Sequence, residues 1–414
     1  MKFVISAAVY PPEGLVAGRM ASDLAVELHS QGHGVTVLAP FPSRPIGTVF
    51  PGFENRRQIH VTQTDGITVI RLPSYTQPES SIMGRARESW SFGQAVSQWL
   101  KENGRDISAI FDVNWPLFAQ DAVTKIARHL GIPVVLNIMD IYPESLTVKL
   151  PGFVGRLVSP PLRAWDGAIV RRASRLMVIS GGMKQIYLQT RHVPEDRVAV
   201  IHTWQDETIF FPPPNRSECA SHYQVDGCKF TFMYLGNIGP VAGVEHLIRS
   251  FHRAQLPNAQ LLIVGGGSQR DACEQLAREL GCISVRFISD PNAANVPQLQ
   301  ALADVFLLPI RKGAAGSSIP SKLGAYMFSA KPILATVDVT SDTAEIVRSA
   351  QCGWVGEPED ESWLAGLMQR VAKMPAAELA ELGDRAKACG LKTFGKQCGV
   401  KKLAALLCEI GVLR

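Results

Sequence analysis

The sequence predicts an α/β protein built from two doubly wound, Rossmann-like domains that face a cleft. Three observations carry this. Short aliphatic and β-branched runs alternate with amphipathic stretches of helical length along most of the chain, as parallel strands covered by helices do. The alternation breaks at a polar, proline-rich segment from Phe211 to Tyr223, which contains Pro212-Pro213-Pro214, and then restarts. Finally, 414 residues with 46% hydrophobic and 19% charged composition exceed the usual size of one compact domain and supply a full core.

Taken in order, Lys2 to Val9 reads as a first strand, too short an apolar run for a signal peptide and ended by Tyr10-Pro11-Pro12-Glu13-Gly14. Met20, Leu24 and Leu28 share a helical face, Gly32 stops that helix, and Val35 to Leu38 is the next strand. Ile59 to Thr62 and Ile67 to Leu72, joined through Asp65-Gly66, form a hairpin. Further strands are expected at Ala109 to Phe111, Val134 to Ile138, Leu176 to Ile179 and Val198 to Ile201. After the break come Phe230 to Leu235, Gln260 to Val264, Val285 to Ile288, Val305 to Leu308 and Pro332 to Ala335, with mainly helix beyond Trp354. The expected domains are 1–205 and 206–394, followed by a terminal helix, 395–414, free to pack back on the first domain. No short tandem repeat or low-complexity segment interrupts this plan.

Composition narrows the function. No run approaches the roughly 18 apolar residues that a spanning helix needs, so no membrane span is expected. All eight cysteines lie in the second half without a C-x-x-C pair, which reads as free thiols in a reducing cytoplasm and no metal site. The net charge of +5 is modest, and no nucleic-acid partner is expected. The window 149–175 is different, with six basic residues (Lys149, Arg156, Arg163, Arg171, Arg172, Arg175) against the single acid Asp166. It interleaves them with Phe153, Leu157, Val158, Leu162, Trp165 and Ile169, as a helix lying on an anionic membrane does. An ordinary solvated helix with one core face fits the same residues.

Ligands of doubly wound domains bind at the carboxyl ends of the strands, so chemistry is sought in strand-to-helix loops. The richest follows Val305 to Leu308 and runs from Pro309 through Arg311, Lys312, Gly313, Gly316, Ser317, Ser318, Pro320 and Ser321 to Lys322. Glycines admit close backbone approach, serines donate hydrogen bonds, and a proline-started helix presents free N–H groups to an anion. With Arg311, Lys312 and Lys322 this reads as a diphosphate site, ahead of a flexible loop with incidental basic residues. Gly265-Gly266-Gly267 follows another strand but has Arg270 where a dinucleotide fingerprint has its last glycine; it marks close backbone approach to a base or ribose, or a tight turn. Ser289, after the next strand, would sit beside it. In the first domain the loop from Tyr10 through Gly14 to Gly18 could face the diphosphate or be a structural turn, and Asp140 and Glu144 stand beyond a strand end as acid/base or hydroxyl-binding candidates. His33 lies at the opposite end of the sheet and reads as structural.

In this order the motifs resemble the GT-B glycosyltransferases of family 4. Tyr10-Pro11-Pro12-Glu13 with Gly32-His33-Gly34-Val35 is similar to the family's amino-terminal signature, and Val178 to Met183 with Val193 to Trp204 is similar to its interdomain segment. Tyr234-Leu235-Gly236-Asn237-Ile238-Gly239, Gly316 to Lys322 and Asp140 to Ser145 resemble the bacterial members that add amino sugars such as N-acetylfucosamine to O-antigen and capsule precursors.

The resemblance implies a retaining transfer from a nucleotide diphosphate sugar, UDP-linked, to a lipid-linked glycan, by an enzyme at the inner face of the cytoplasmic membrane. It implies no metal and no cofactor beyond the donor co-substrate. The donor candidates are Gly14, Gly18, Gly236, Asn237, Gly265, Gly266, Ser289, Arg311, Gly316, Ser317, Ser318 and Lys322; the acceptor candidates are Glu13, Asn114 and Asp140; the catalytic candidates are Asp140, Glu144 and Lys322. Several positions depart from the family. Ser317 and Ala325 stand where many members hold glutamates, Asn237 and Ala242 where they hold Arg and Lys, and Met139 where a histidine is frequent. A nucleotide-sugar epimerase of the same architecture, or a non-catalytic nucleotide-binding relative, is the alternative.

Overall fold

The computed structural model describes residues 1–53, 58–78, 81–147, 150, 152–290, 292–313 and 319–412. The chain divides into two compact units, one of residues 1–203 with 399–414 and the other of residues 204–398.

In the first unit eight strands form one sheet: β1 (Lys2–Ala7), β2 (Gly34–Pro40), β3 (His60–Thr64), β4 (Ile67–Leu72), β5 (Ala109–Val113), β6 (Val134–Ile138), β7 (Arg175–Val178) and β8 (Val198–Val200). Their order is β3-β4-β2-β1-β5-β6-β7-β8, parallel throughout except for β3 against β4. That exception is the expected hairpin. Asp65 and Gly66 both take positive φ, 51° and 79°, as a two-residue turn matching the twist of its strands requires. Val4, Ile110 and Val134 on one face pack with Phe92, Val96 and Leu100 of helix Ile82–Asn103. Farther along, Leu136 and Val178 pack with Ile169, Val170 and Tyr187.

The second unit has six parallel strands: β9 (Phe230–Leu235), β10 (Ala259–Val264), β11 (Val285–Ile288), β12 (Val305–Pro309), β13 (Ile333–Thr336) and β14 (Gly353–Gly356). The order β11-β10-β9-β12-β13-β14 is the doubly wound one, with the chain reversing direction across the sheet between β9 and β12. The first unit has the same reversal between β1 and β5. These two points are where each unit opens a crevice at its strand ends. Two doubly wound α/β units, as expected from the sequence, are thus observed.

The segment from Phe211 to Tyr223, where the alternation breaks, lies inside the second unit and contains a helix, Arg216–His222. Asn215 caps it by accepting from the N–H groups of Ser217 and Glu218, and Cys219 and Ala220 are buried. The chain near Trp354 makes an edge strand, β14, before the helices begin.

One core group carries a pH signature. Asp112 on β5 is fully buried, and burial pushes its pKa from the ordinary 3.8 to about 7 even though Asn114 and Ser6 hydrogen-bond to it. The folded chain then holds a proton that the unfolded chain has released, so stability falls as pH rises from about 4 to about 7. The loss is on the order of 4 kcal/mol. Asp112→Asn, which resembles the protonated acid, is expected to remove most of that slope and to be the more stable protein at pH 8. Urea unfolding of both proteins at pH 5 and pH 8 checks this; parallel pH profiles would contradict it.

Candidate functional site

At the reversal point of the second unit, Asn237, Gly239, Pro240, Val241, Ala242, Pro309, Ile310, Pro320 and Lys322 line a pocket of about 300 Å³. Its charged group is Lys322, near the start of helix Ser321–Phe328. The ammonium lies 4.1 Å from the centre of the Tyr234 ring and donates to the Tyr234 hydroxyl at 2.7 Å. That hydroxyl donates in turn to the Asn237 carbonyl at 2.6 Å. Burial lowers the Lys322 pKa from 10.5 to about 8. Among the described residues no carboxylate forms an ion pair with it. Tyr326 fixes the helix by stacking on Phe306, with centroids 4.1 Å apart, and by accepting from the Leu235 N–H at 2.8 Å. A half-buried cation held by neutral groups at a strand end is a site prepared for an anion.

The other donor candidates divide. Asn237 lines the pocket. Gly236 lies against Lys322, whose Nζ would stand 3.0 Å from an added Cβ. Arg311 pairs its guanidinium with the Glu245 carboxylate and does not line this pocket. Gly265 is required by packing. A Cβ there would come within 2.1 Å of the Gly236 carbonyl, so this glycine allows the loops after β9 and β10 to approach each other. Gly266 is open on its Cα side and accepts from the Ile238 N–H at 2.7 Å. Ser289 is engaged by Arg270, which also donates to the Gly265 carbonyl at 2.7 Å. Ala325 is buried in the core of the unit. Gly316, Ser317 and Ser318 lie outside the described residues.

The first unit has its own pocket, about 210 Å³, at the reversal between β1 and β5. Asn114, Asn137, Met139, Asp140 and Tyr142 are among its lining residues. Asp140 is exposed there, as an acid that meets a ligand must be. Asn114 is buried and donates to Ser6 and Asp112. Gly14 is exposed, whereas Gly18 packs helix Val16–Ser30 against the Val9 and Glu13 carbonyls.

Two of the candidate acids are held by partners within the first unit. Glu13 is 2% exposed, and its carboxylate accepts from the N–H groups of Tyr10 at 3.2 Å, Ser43 at 2.9 Å and Arg44 at 2.8 Å. It staples the loops after β1 and β2 and is not placed to hold an acceptor. Glu144 is grasped by Arg191, whose Nη1 and Nη2 donate to its two oxygens at 2.8 and 2.6 Å. Burial alone would raise its pKa, but this bidentate bond and the guanidinium charge hold it below the ordinary carboxylate value. A carboxylate so strongly held makes a poor proton acceptor. Arg191 also donates from Nε to buried Asp166 at 2.8 Å and to the Tyr142 carbonyl, tying the loop after β6 to two helices.

The roles of Tyr234, Arg191, Asp166 and Asn137 escaped the sequence reading. The signal for Asn137 was a single amide in the run Val134-Val135-Leu136-Asn137-Ile138; for Tyr234 it was a hydroxyl one residue from a strand's end. His33 is structural as expected, lying 3.5 Å from Cys408 Sγ and edge-on to Phe3.

Residues 17–204 match the model of a glycosyl transferase 4-like domain, and residues 219–388 that of glycosyl transferases group 1. The chain is 26% identical over 280 residues to a probable glycosyltransferase, WbjE, of Pseudomonas aeruginosa, covering 67% of this chain and 68% of that protein. It is 24% identical over 384 residues to the putative colanic acid biosynthesis glycosyl transferase WcaI of Escherichia coli, covering 89% and 92%. Among solved structures, Anabaena HepE in complex with UDP-glucose superimposes with a TM-score of 0.65 at 17% identity, over 99% of this chain and all of that one. The chain therefore belongs to the glycosyltransferases of the GT-B fold, a glycosyl transferase 4-like domain followed by a group 1 domain.

Proposed function

We propose that this enzyme moves a sugar, an amino sugar in the leading case, from a UDP-linked donor to a lipid-linked glycan in bacterial surface-polysaccharide synthesis, with retention of anomeric configuration. The observation that carries the reading is the Lys322 ammonium, hydrogen-bonded to a phenol and lining the strand-end pocket of the second unit. When the glycosyl bond breaks, negative charge grows on the departing diphosphate, and a fixed cation there acts more strongly in the transition state than before it. Asp140, on the pocket of the first unit, is the group available to an acceptor hydroxyl. The names of WcaI, and of a Salmonella typhimurium lipopolysaccharide 1,6-galactosyltransferase 26% identical over 211 residues, support the pathway; the UDP-glucose complex of HepE supports the nucleotide.

A thermal-shift screen of UDP- and GDP-sugars, followed by product analysis with and without acceptor lipid, tests this. Stabilisation by a UDP-sugar and acceptor-dependent transfer are expected. Conversion of the free donor without acceptor would favour an epimerase instead.

The enzyme works at the membrane surface in this reading. Among the described residues no helix is long and apolar enough to cross a membrane. Helix Gly152–Arg172 exposes Phe153 by 79% and Leu157 by 77%, one turn apart, with exposed Arg156 between them. Arg171 and Arg172 are engaged within the protein, the latter with Asp121, so the contact shifts to the start of the helix. Replacing Phe153 and Leu157 together by serine is expected to weaken binding to phosphatidylserine vesicles at least tenfold, since each side chain contributes roughly 1.5–3 kcal/mol when buried. Unchanged co-sedimentation would rule this surface out.

A further inference from the structure

Eight buried side-chain polar atoms lack a hydrogen-bond partner among the described residues, and four of them belong to Asp112, Asn114 and Asn137 at the carboxyl ends of the neighbouring strands β5 and β6. Native structures leave few such atoms, so this concentration calls for a reason. Asn137 is the extreme case. It is 2% exposed, and neither its Nδ2 nor its Oδ1 has a partner, although the residue lines the first unit's pocket. Asn114, 8% exposed, lines the same pocket with its Oδ1 unpartnered. Packing gives no cause for an amide here, because Val134, Val135, Leu136 and Ile138 of the same strand are apolar and buried.

We propose that Asn137 is a specificity residue for the glycan, reading a vicinal pair of sugar hydroxyls through its adjacent donor and acceptor, with Asn114 Oδ1 as a further acceptor. This rests on the reading of the first unit's pocket as the glycan site. Whatever occupies the amide must supply both a donor and an acceptor, which a diol does and an apolar group does not. The amide atoms are buried although Asn137 lines the pocket, so contact with a sugar requires a neighbouring side chain to move. Half-buried Met139, two residues along on that wall, has the unbranched side chain best able to move. A site built to pair with hydroxyls rejects analogues that lack them, because its polar groups are then left unpaired.

Asn137→Leu separates this role from a structural one. The change removes two unpartnered polar atoms at nearly constant volume, so the variant is expected to melt at the same temperature as the parent or higher. Binding of methyl glycosides of glucose, galactose, mannose and N-acetylglucosamine is followed by saturation-transfer NMR, and UDP affinity by calorimetry. At least one glycoside is expected to bind the parent and to lose affinity tenfold or more in Asn137→Leu, with UDP unchanged. Asn137→Thr, which restores a hydroxyl, is expected to recover part of the binding. Equal glycoside affinity in parent and Asn137→Leu, binding of none of the four to the parent, or a lowered melting temperature for Asn137→Leu would overturn the proposal. Failure of the parent to bind UDP while glycoside binding still depends on Asn137 would instead remove the donor reading alone.

Discussion

Lys322→Ala is expected to lower kcat/KM for the nucleotide-sugar donor by about 10²- to 10³-fold, the usual cost of removing one preorganised group that faces charge developing in a transition state. The fold should survive, because the ammonium bonds to a neutral phenol and completes no ion pair among the described residues. The pH dependence offers a second readout. Burial lowers the Lys322 pKa to about 8, so the free enzyme loses this cation as pH rises through that value. Diphosphate binding favours the charged form, and UDP affinity is therefore expected to fall above pH 8 in the parent and to be flatter in the variant. Steady-state kinetics and calorimetry between pH 7 and pH 9.5 measure both. Unchanged turnover together with superimposable pH profiles would place the diphosphate elsewhere.

Arg191→Ala is the corresponding expectation for stability. Arg191 and Asp166 are each 1% exposed, and the guanidinium serves Asp166, both oxygens of Glu144 and the Tyr142 carbonyl. Burial already pushes the Asp166 pKa to about 6 despite its hydrogen bond to Arg191. Truncating the arginine leaves a buried acid unpaired, for which a loss of about 3–5 kcal/mol is expected. In a unit of this size that corresponds to roughly 10 °C in the melting temperature. Arg191→Lys should recover only part of it, since one ammonium cannot reproduce the fork that meets two carboxylates. Differential scanning calorimetry decides the matter; a loss below about 1 kcal/mol would mean that the network is worth little. The same variant releases the loop carrying Asp140, so transfer should fall even at temperatures where the protein stays folded.

Glu13 and Glu144 show where local reasoning stops. Glu144 stands two residues beyond Tyr142 after a strand, a natural place for an acid or base, yet its partner Arg191 is 47 residues away. Glu13 belongs to a turn that reads as ligand-facing, but it is claimed by backbone N–H groups 30 and 31 residues along. In both cases the carboxylate's availability depends on long-range partners. Arg311 is the same case with the opposite charge, being drawn to Glu245 66 residues earlier.

The sequence by itself determined the architecture. Buried parallel strands must be continuous apolar runs, helices that cover them must carry a periodic apolar face, and a two-residue Asp-Gly turn must make a hairpin; each of these is a local rule that a single segment obeys. It also singled out Asp140, just past a strand end, and Lys322, at the start of the helix that follows β12, as candidates, because such sheets bind ligands at their strand ends. Only the tertiary structure decided which charges are free for chemistry. It joined Glu144 and Asp166 to Arg191, set Lys322 beside Tyr234, and left the Asn137 amide unpartnered at the first unit's pocket. The physical reason is that a side chain's reactivity depends on desolvation and on neighbours within a few ångströms, and folding draws those neighbours from segments far apart in the chain.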